Sequence, residues 1–200
     1  MNSIVSAVVL AAGSSQRMGS PKALLKIGEE TFFQHIVEVL HSARIIDVVA
    51  VLGFEAEKIT KHLGQFDGRI VLNEHWQKGQ LSSITAGLDA LDSQNIQAAM
   101  ICPVDHPLIS QSLIVDLLQA FWKSQKRIVV PTYKSRRGHP VIIERSLFND
   151  LRTAPPEEGA RSVIHRYPGD VVEVPTEEKG VVTNIDTPED YELNILIRIV

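Results

Sequence analysis

The chain has 200 residues, of which 44% are hydrophobic and 22% are charged, a composition typical of a globular protein. Its 20 Lys and Arg residues against 24 Asp and Glu residues leave a formal charge of −4 at pH 7. This balance argues against a broadly basic nucleic-acid surface and a polybasic membrane anchor, so we expect neither nucleic acid nor membrane among the partners. The length is that of one domain, and we expect residues 1–200 to form one.

The N-terminal segment lacks the basic residues of a secretory signal, because no Lys or Arg precedes Arg17. Its apolar stretch, 4–12, has about half the length of a transmembrane helix. The chain contains one cysteine, Cys102, which has no internal disulfide partner and lies in an apolar run typical of a buried strand. We therefore expect a cytoplasmic protein with Cys102 in its core.

Apolar runs of strand length alternate with segments of helical periodicity through the first two thirds of the chain. The predicted elements are strands over 4–10, 46–52, 70–72, 98–102 and 128–131, and helices over 32–40, 55–64, 81–91 and 113–121. Strands that alternate with helices imply right-handed crossovers between parallel strands. The pattern predicts an α/β fold of three layers with a mainly parallel sheet.

The alternation loosens after Tyr133. A turn at Arg136-Arg137-Gly138 is predicted to lead into a strand over 140–143, and a loop over 154–159 into a short helix. Short strands are predicted over 171–174 and 182–185. Thr187 is predicted to cap a last helix that has Pro188 in its first turn. We therefore expect irregular insertions in the second half of the fold.

The loop after the first strand has the composition of an anion site. In open parallel sheets, ligands bind at the carboxyl ends of strands, so the loops that leave strands are the candidate positions. This loop contains Gly13, Gly19, Arg17 and Lys22 among small residues. Small residues let backbone N–H groups approach an anion, and the cations neutralise its charge. The loop predicts triphosphate binding without a Walker A motif; the alternative is a Gly/Ser-rich turn.

Acidic residues follow two further strands. Asp105 comes directly after the run that ends at Cys102, where a carboxylate is placed to hold Mg²⁺ against phosphates. The alternative is that Asp105 caps the next helix. Asp186 precedes Thr187 and Pro188, and a helix start is the stronger alternative there.

Six stretches stand in a fixed order along the chain: LAAGSSQRMGSPKALL, GQLSSITAGL, CPVDHPLI, GHPV, GAR and NIDTPEDY. Over nearly the whole chain, this order resembles the MobA-like nucleotidyltransferases, and within them the molybdenum cofactor cytidylyltransferases. The resemblance implies a Rossmann-like α/β/α fold. It also implies transfer of a nucleotide monophosphate from a triphosphate to an acceptor phosphate, with release of pyrophosphate.

The resemblance also assigns residues. It implies catalytic roles for Arg17, Lys22 and Asp105; nucleotide contacts from Leu10, Ala11, Ala12, Gly13, Arg17, Lys22, Gly79, Gln80, Ser82 and Ser83; metal ligation by Asp105 and Asp186; and acceptor contacts from His106, Gly138, His139 and Pro140. The implied cofactor is Mg²⁺, with Mn²⁺ as a substitute. The implied partners are CTP or another nucleoside triphosphate, a molybdopterin-type acceptor and a recipient molybdoenzyme.

The mechanism that this chemistry requires is an in-line attack of the acceptor phosphate on the α-phosphorus. An acceptor phosphate is already anionic near neutrality, so no strong general base is needed, and His106 and His139 need not act as one. The protein mainly positions groups and offsets developing charge.

Several alternatives remain open at the level of sequence. Ala12 and Asp186 resemble the cytidylyl branch, whose alternative is a guanylyltransferase that uses GTP. The acceptor is a molybdopterin or else a sugar or polyol phosphate. A carrier that binds molybdenum cofactor without catalysis is an alternative of another class, although retention of Arg17, Lys22 and Asp105 argues against it. Trp76 has two interpretations, stacking on a pterin and packing against its own domain.

Overall fold

The computed structural model describes residues 4–91 and 96–197. Its strands are β1 (Ile4–Ala11), β2 (Lys26–Ile27), β3 (Glu30–Thr31), β4 (Val48–Leu52), β5 (Arg69–Leu72), β6 (Ile96–Pro103), β7 (Ile128–Tyr133), β8 (Arg136–Arg137), β9 (Val141–Glu144) and β10 (Val171–Pro175). Its α-helices are α1 (Phe32–Ser42), α2 (Ala56–His62), α3 (Gln80–Ala90), α4 (Gln111–Ser124), α5 (Phe148–Arg152), α6 (Arg161–Arg166) and α7 (Pro188–Tyr191), and a π-helical segment, Glu192–Leu196, follows α7. None of these helices is long and apolar enough to cross a membrane.

The main sheet has the strand order β10-β7-β9-β6-β1-β4-β5, and β8 pairs with the end of β7. Strand β1 lies between β4 and β6 and is parallel to both. Strand β9 runs antiparallel to its neighbours β6 and β7. The sheet is therefore mixed but mostly parallel, and the residues that lead into β9 lie at the same edge as the residues that follow β1 and β6.

Two apolar clusters cover the two faces of the sheet. Alternate residues of β1 belong to different clusters, as the period of a strand requires: Ala7 and Val9 pack with α1 and α4, whereas Val8 and Leu10 pack with α3, α5 and α6. Strands covered on both sides read as continuous apolar runs. The predicted three-layer α/β fold is confirmed, and so is the buried position of Cys102.

The second half of the chain contains two wrong predictions. Arg136-Arg137 is a strand, β8. The turn lies two residues earlier, at Lys134 and Ser135, whose φ angles are 48° and 61°. The predicted strand over 182–185 does not form. Val182 ends a 3₁₀ helix, Lys179–Val182, and the residues after it are irregular.

Smaller differences concern the edges of elements. Strand β4 begins at Val48, so the predicted strand over 46–52 starts two residues too early, and Ile46 is 66% exposed. The β2–β3 hairpin and α5 were not predicted. The cap of α7 is confirmed: the Thr187 hydroxyl accepts a hydrogen bond from the Asp190 amide, and the Asp190 carboxylate accepts one from the Thr187 amide.

Candidate active site

The loop after β1 folds so that Lys22 projects from a fixed backbone. Ser15 adopts a positive φ of 49°, and its carbonyl accepts hydrogen bonds from the amides of Met18 and Gly19. The Ser15 hydroxyl accepts a further bond from the Lys22 amide at 3.2 Å. Lys22 begins a short 3₁₀ helix, Lys22–Leu24, in which Ala23 is buried. The loop is therefore a structured turn that carries a cation.

Four charged side chains from three distant segments meet beside this loop, and we call them the ion cluster. The Lys22 ammonium donates hydrogen bonds to the carboxylates of Asp186 and Asp105, the latter at 3.3 Å. Arg17 pairs with the other oxygen of Asp186 at 3.2 Å. The Lys22 side chain is 13% exposed and the two carboxylates are each 25% exposed, whereas Arg17 is 70% exposed. A partly desolvated cation is thus shared by two carboxylates.

The charges of the ion cluster favour the ionised form of Asp186. Partial burial by itself would raise the pKa of this carboxyl, but the hydrogen bonds and positive charges of Lys22 and Arg17 more than offset that effect, so its pKa lies below the ordinary value. Asp186 is therefore an anion at neutral pH.

Neither carboxylate serves as a helix cap. The cap of α4 is Ser110, whose hydroxyl accepts a bond from the Leu113 amide at 3.1 Å. The cap of α7 is Thr187, next to Asp186. The alternatives in which Asp105 and Asp186 serve only to begin or cap a helix are therefore not what the geometry shows. Both side chains hydrogen-bond Lys22.

The segment that carries Asp186 is held by close backbone contacts. The Ile185 amide donates to the Asp105 carbonyl at 2.9 Å, and the His139 amide donates to the Val181 carbonyl at 2.8 Å. A Cβ atom on Gly180 would lie 1.7 Å from the Leu108 carbonyl oxygen, so only glycine fits there. These contacts fix the position of Asp186 relative to Asp105.

His106 and His139 form a packed pair behind this segment, with ring centroids 4.9 Å apart. His106 is 6% exposed, and the Nδ1 atoms of both rings are buried without a hydrogen-bond partner. Burial lowers the pKa of both imidazoles, although for His106 the negative charge of Asp105 and a hydrogen bond to the backbone of Gly180 work in the opposite direction. Both rings are therefore neutral at pH 7.

Acid is expected to destabilise the fold through His139. Burial, reinforced by His106, lowers the pKa of His139 to about 4 from an ordinary value of 6.5. Between these values the unfolded chain binds a proton that the folded chain does not, so the free energy of unfolding decreases as the pH falls from about 6.5 to 4. The loss approaches about 3 kcal/mol at most. Urea unfolding at pH 7.5 and 4.5 measures this loss.

The matched variant for this measurement is His139→Gln, which does not titrate in this range and should lose less stability between the two pH values. The exposed His75 provides the control, because His75→Gln should show the same pH dependence as the unmodified chain. An equal loss in His139→Gln would assign the acid sensitivity to other groups.

A cleft of about 370 Å³ opens beside the ion cluster. Of the residues predicted to contact nucleotide, those that line it are Leu10, Ala11, Ala12, Gly13, Lys22, Gly79, Gln80 and Ser83, and Asp105 also lines it. Arg17 and Asp186 are not among its lining residues, and Arg17 joins the ion cluster through its ion pair with Asp186. Ser82 is not among the lining residues. Its hydroxyl donates hydrogen bonds to the backbone carbonyls of His75 at 2.9 Å and Gly79 at 2.8 Å. We call this opening the first cleft.

A second cleft of about 570 Å³ lies over the β6, β9 and β7 part of the sheet. Gly138 and His139, two of the predicted acceptor residues, line it, whereas Pro140 and His106 are buried and are not among its lining residues. Its floor is apolar, with Ile101, Val130 and Val141, and Arg161 at the start of α6 is on its wall. Gln80 lines both clefts, so the two openings adjoin at the start of α3.

Asn73 organises the wall of the first cleft, although no pattern in the sequence singled it out for that role. It is 5% exposed, and its side-chain amide donates to the hydroxyls of Ser82 and Ser83 at 2.9 and 3.0 Å. Its carboxamide oxygen accepts a bond from the His75 amide at 2.9 Å. An asparagine after a strand reads as an ordinary turn residue, so the only signal was its position at a strand end.

Comparisons with known proteins agree with this architecture. The chain is 30% identical over 194 residues to nicotine blue oxidoreductase of Paenarthrobacter nicotinovorans, covering 92% of this chain and 93% of that protein. It is 23% identical to the molybdenum cofactor cytidylyltransferase of Escherichia coli, with 94% of each chain covered. It is 25% identical to a molybdenum cofactor guanylyltransferase of Shewanella baltica, with 96% of each covered.

A similar fold is present in the protein Rv0371c of Mycobacterium tuberculosis, with a TM-score of 0.86 and 22% identity over 98% of this chain and all of that one. Another crystal structure of Rv0371c, a complex with manganese, has a TM-score of 0.78 and 22% identity over 96% of this chain and 98% of that one. The profile of the MobA-like NTP transferase domain matches residues 7–171, which is most of the chain. The chain therefore belongs to the family of MobA-like NTP transferases.

Proposed function

We propose that this protein transfers CMP from CTP to the phosphate of a molybdopterin-type acceptor and releases pyrophosphate. The observation that carries the proposal is the ion cluster, in which Lys22 and Arg17 meet Asp105 and Asp186 at the edge of a cleft formed by the loop after β1. Relatives named as cytidylyltransferase and guanylyltransferase of the molybdenum cofactor support the acceptor. We further propose that residues 1–200 act as one nucleotidyltransferase domain.

In this proposal, Lys22 and Arg17 bind the triphosphate and stabilise the charge that develops on the leaving pyrophosphate. Backbone groups of Leu10, Ala11, Ala12 and Gly13 bind the nucleoside, and Gly79, Gln80 and Ser83 select the base. The acceptor lies in the second cleft against His139 and Gly138. Its phosphate attacks in line, and no side chain needs to remove a proton.

The donor set of the ion cluster fits a divalent metal ion. Asp105 and Asp186 both hydrogen-bond Lys22, so their oxygens converge on one region, and carboxylate oxygens are what Mg²⁺ and Mn²⁺ prefer. Within 4–91 and 96–197, no group of three or more His, Cys, Asp and Glu residues is arranged to hold a metal. We propose that Asp105 and Asp186 would hold Mg²⁺ beside the phosphates of the substrate. The metal would supply further charge neutralisation on the phosphates.

Ala12 supports the choice of CTP over GTP. The residue lines the first cleft and is 3% exposed, and we propose that a methyl group here, where glycine has none, restricts the space for the base. A smaller pyrimidine fits this restriction better than a purine.

The relative named as an oxidoreductase brings a second candidate reaction, transfer of reducing equivalents. The sole cysteine, Cys102, is 2% exposed, and burial raises the pKa of its thiol, so it does not support a thiol-based reaction. The ion cluster favours nucleotidyl transfer, because negative charge develops on the leaving pyrophosphate in that reaction, whereas hydride transfer develops no charge on a phosphate group.

The test is pyrophosphate release with Mg²⁺ and CTP, GTP, ATP or UTP, each alone, with molybdenum cofactor, or with a panel of sugar and polyol phosphates. Cofactor binding and the oxidation of NADH or NADPH are measured beside it. We expect release with CTP that requires the cofactor. Release with another nucleotide would overturn the base assignment and keep the reaction. Release only with a sugar or polyol phosphate would overturn the acceptor. Cofactor binding without release would identify a carrier, and consumption of NADH or NADPH without nucleotide would identify a redox enzyme.

A further inference from the structure

One aromatic side chain lines the first cleft away from the ion cluster. Trp76 lies in the short 3₁₀ helix Trp76–Lys78 between β5 and α3, and its half-buried indole forms part of the cleft wall with Ala12 and Ser83. The side chains that carry charge in this cleft, Lys22 and Asp105, come from other loops. The first cleft therefore has a charged end and an aromatic end.

The indole is held in place from behind. The Phe54 ring packs edge-on against it, with centroids 5.4 Å apart at an interplanar angle of 67°. Gly53 lies beneath it, and a Cβ atom there would be 2.8 Å from both the Trp76 Cβ and the Ala12 carbonyl oxygen. Because Gly53 has no side chain, Trp76 can pack close to the backbone of Ala12, in the loop after β1. Trp76 is thus a fixed wall of the cleft.

Strand order separates this wall from the second cleft. Gly53 follows β4, Asp105 follows β6, and β1 lies between those strands, so about 10 Å separates the two ends at the usual strand spacing. The second cleft lies on the far side of β6, over β9 and β7. Trp76 and Lys22 line the same cleft, and Trp76 is not among the residues that line the second cleft, although Gln80 lines both. A ligand whose phosphates lie at Lys22 therefore reaches Trp76 within one cleft.

The backbone around Trp76 is fixed by Asn73. The Asn73 amide donates to the Leu52 carbonyl at 2.8 Å, which ties the start of the turn to β4. The Trp76 amide donates to the Asn73 carbonyl at 3.3 Å, and the Gly79 amide donates to the Trp76 carbonyl at 3.1 Å. Together with the side-chain bonds of Asn73 to Ser82 and Ser83, these contacts fix the backbone from which the indole projects.

We propose that Trp76 is the nucleobase-binding wall of this enzyme, with Asn73 as the residue that positions it. This inference rests on the proposed function, since it assigns the base of the nucleoside triphosphate to the aromatic end of the first cleft. An aromatic ring contacts any base through its π face, so Trp76 contributes affinity. Selection between bases is left to residues such as Ala12 that restrict the space.

The first test uses the fluorescence of Trp76 in the complete chain. The sequence contains two tryptophans, and Trp122 lies on α4, where it packs against Phe121. In a Trp122→Phe background, CTP with Mg²⁺ and no acceptor should change the emission of Trp76 with saturation near the KM for CTP. Inorganic tripolyphosphate, which lacks a base, should compete with CTP and leave the emission unchanged. An equal change with tripolyphosphate, or none with CTP at saturating concentration, would overturn the proposal.

The second test separates the base from the acceptor by kinetics. Trp76→Leu should raise the KM for CTP about tenfold or more and leave kcat at saturating CTP within about threefold, because it removes a base contact remote from the reacting phosphate. Trp76→Phe should recover most of the affinity, and Trp122→Phe should match the unmodified enzyme. A rise in the KM for the acceptor instead, or a fall in kcat without any change in KM, would overturn the assignment.

The two proposals fail in distinguishable ways. A base-dependent change in Trp76 emission without pyrophosphate release would overturn the reaction and support the binding wall. Normal pyrophosphate release with an unchanged KM for CTP in Trp76→Leu would overturn the wall and leave the reaction intact.

Asn73→Ala should raise the KM for CTP, as Trp76→Leu does. We expect the effect of Asn73 on the KM for CTP to pass through Trp76, so the double variant should have a KM no higher than that of Trp76→Leu. Additive rises in KM would show that Asn73 acts through Ser83 instead and would overturn its positioning of Trp76.

Discussion

Lys22→Ala is expected to lower kcat for pyrophosphate release by a factor of about 100 to 1,000, the usual effect of removing one preorganised group that stabilises transition-state charge. Lys22 is the centre of the ion cluster, where it hydrogen-bonds both Asp105 and Asp186. Without it, two carboxylates face an anionic substrate with Arg17 alone to offset the charge. Steady-state kinetics at saturating CTP and Mg²⁺ measure the effect.

Lys26→Ala is the matched control for this substitution. Lys26 is exposed in the β2–β3 hairpin, and its ammonium donates to the Glu29 carbonyl at 2.8 Å. We expect unmodified kcat in Lys26→Ala and a folded protein in both variants, which thermal unfolding checks. Unmodified turnover in folded Lys22→Ala would contradict the catalytic assignment of this lysine.

Asp105→Asn is expected to reduce turnover by a factor of about 100 or more, because it converts one of two converging carboxylates into a neutral amide of the same shape. The Asp105 carbonyl still accepts the Ile185 amide, so the segment that carries Asp186 keeps its anchor. A titration with Mg²⁺ or Mn²⁺ should show that half-maximal activity needs a higher metal concentration than in the unmodified enzyme. Kinetics and this titration together separate metal loss from misfolding.

The control for the acidic position is Asp116→Asn on the exposed face of α4, which removes the same charge away from both clefts. It should leave kcat and the metal requirement unchanged. If both Asp→Asn variants lost activity equally, net charge would be responsible. If neither did, the proposed role of Asp105 would be wrong.

The part of the site that follows the parallel strands β1 and β6 could be predicted because its sequence signals are local. Continuous apolar runs identify β1 and β6, and the rule that ligands bind at strand ends then directs attention to Lys22 and Asp105. The structure brings both residues together with Asp186, which lies more than 80 residues from Asp105 in the sequence. The family resemblance supplied that pairing, and spacing alone did not contain it.

Other features depend on tertiary contacts that no local pattern encodes. The β7–β8 turn uses Lys134 and Ser135 at positive φ without the glycine that usually marks such a turn. Val181 and Ile185 are fully buried, yet they anchor an irregular segment and not a strand. Apolar runs of a few residues predict burial, and the choice between strand and loop is made by whatever packs against them.

The direction of strand β9 has a consequence for how this site can change. The proposed nucleotide side is carried by loops of parallel strands, whose crossovers include whole helices packed on the sheet. The proposed acceptor side includes the hairpin region between Tyr133 and Val141, which needs no crossover. Hairpin tips accept insertions and exchanges more readily than packed crossovers do. We therefore expect changes of acceptor in this fold to be concentrated in this hairpin region and in the segment around Arg161, while the loops that hold the ion cluster stay as they are.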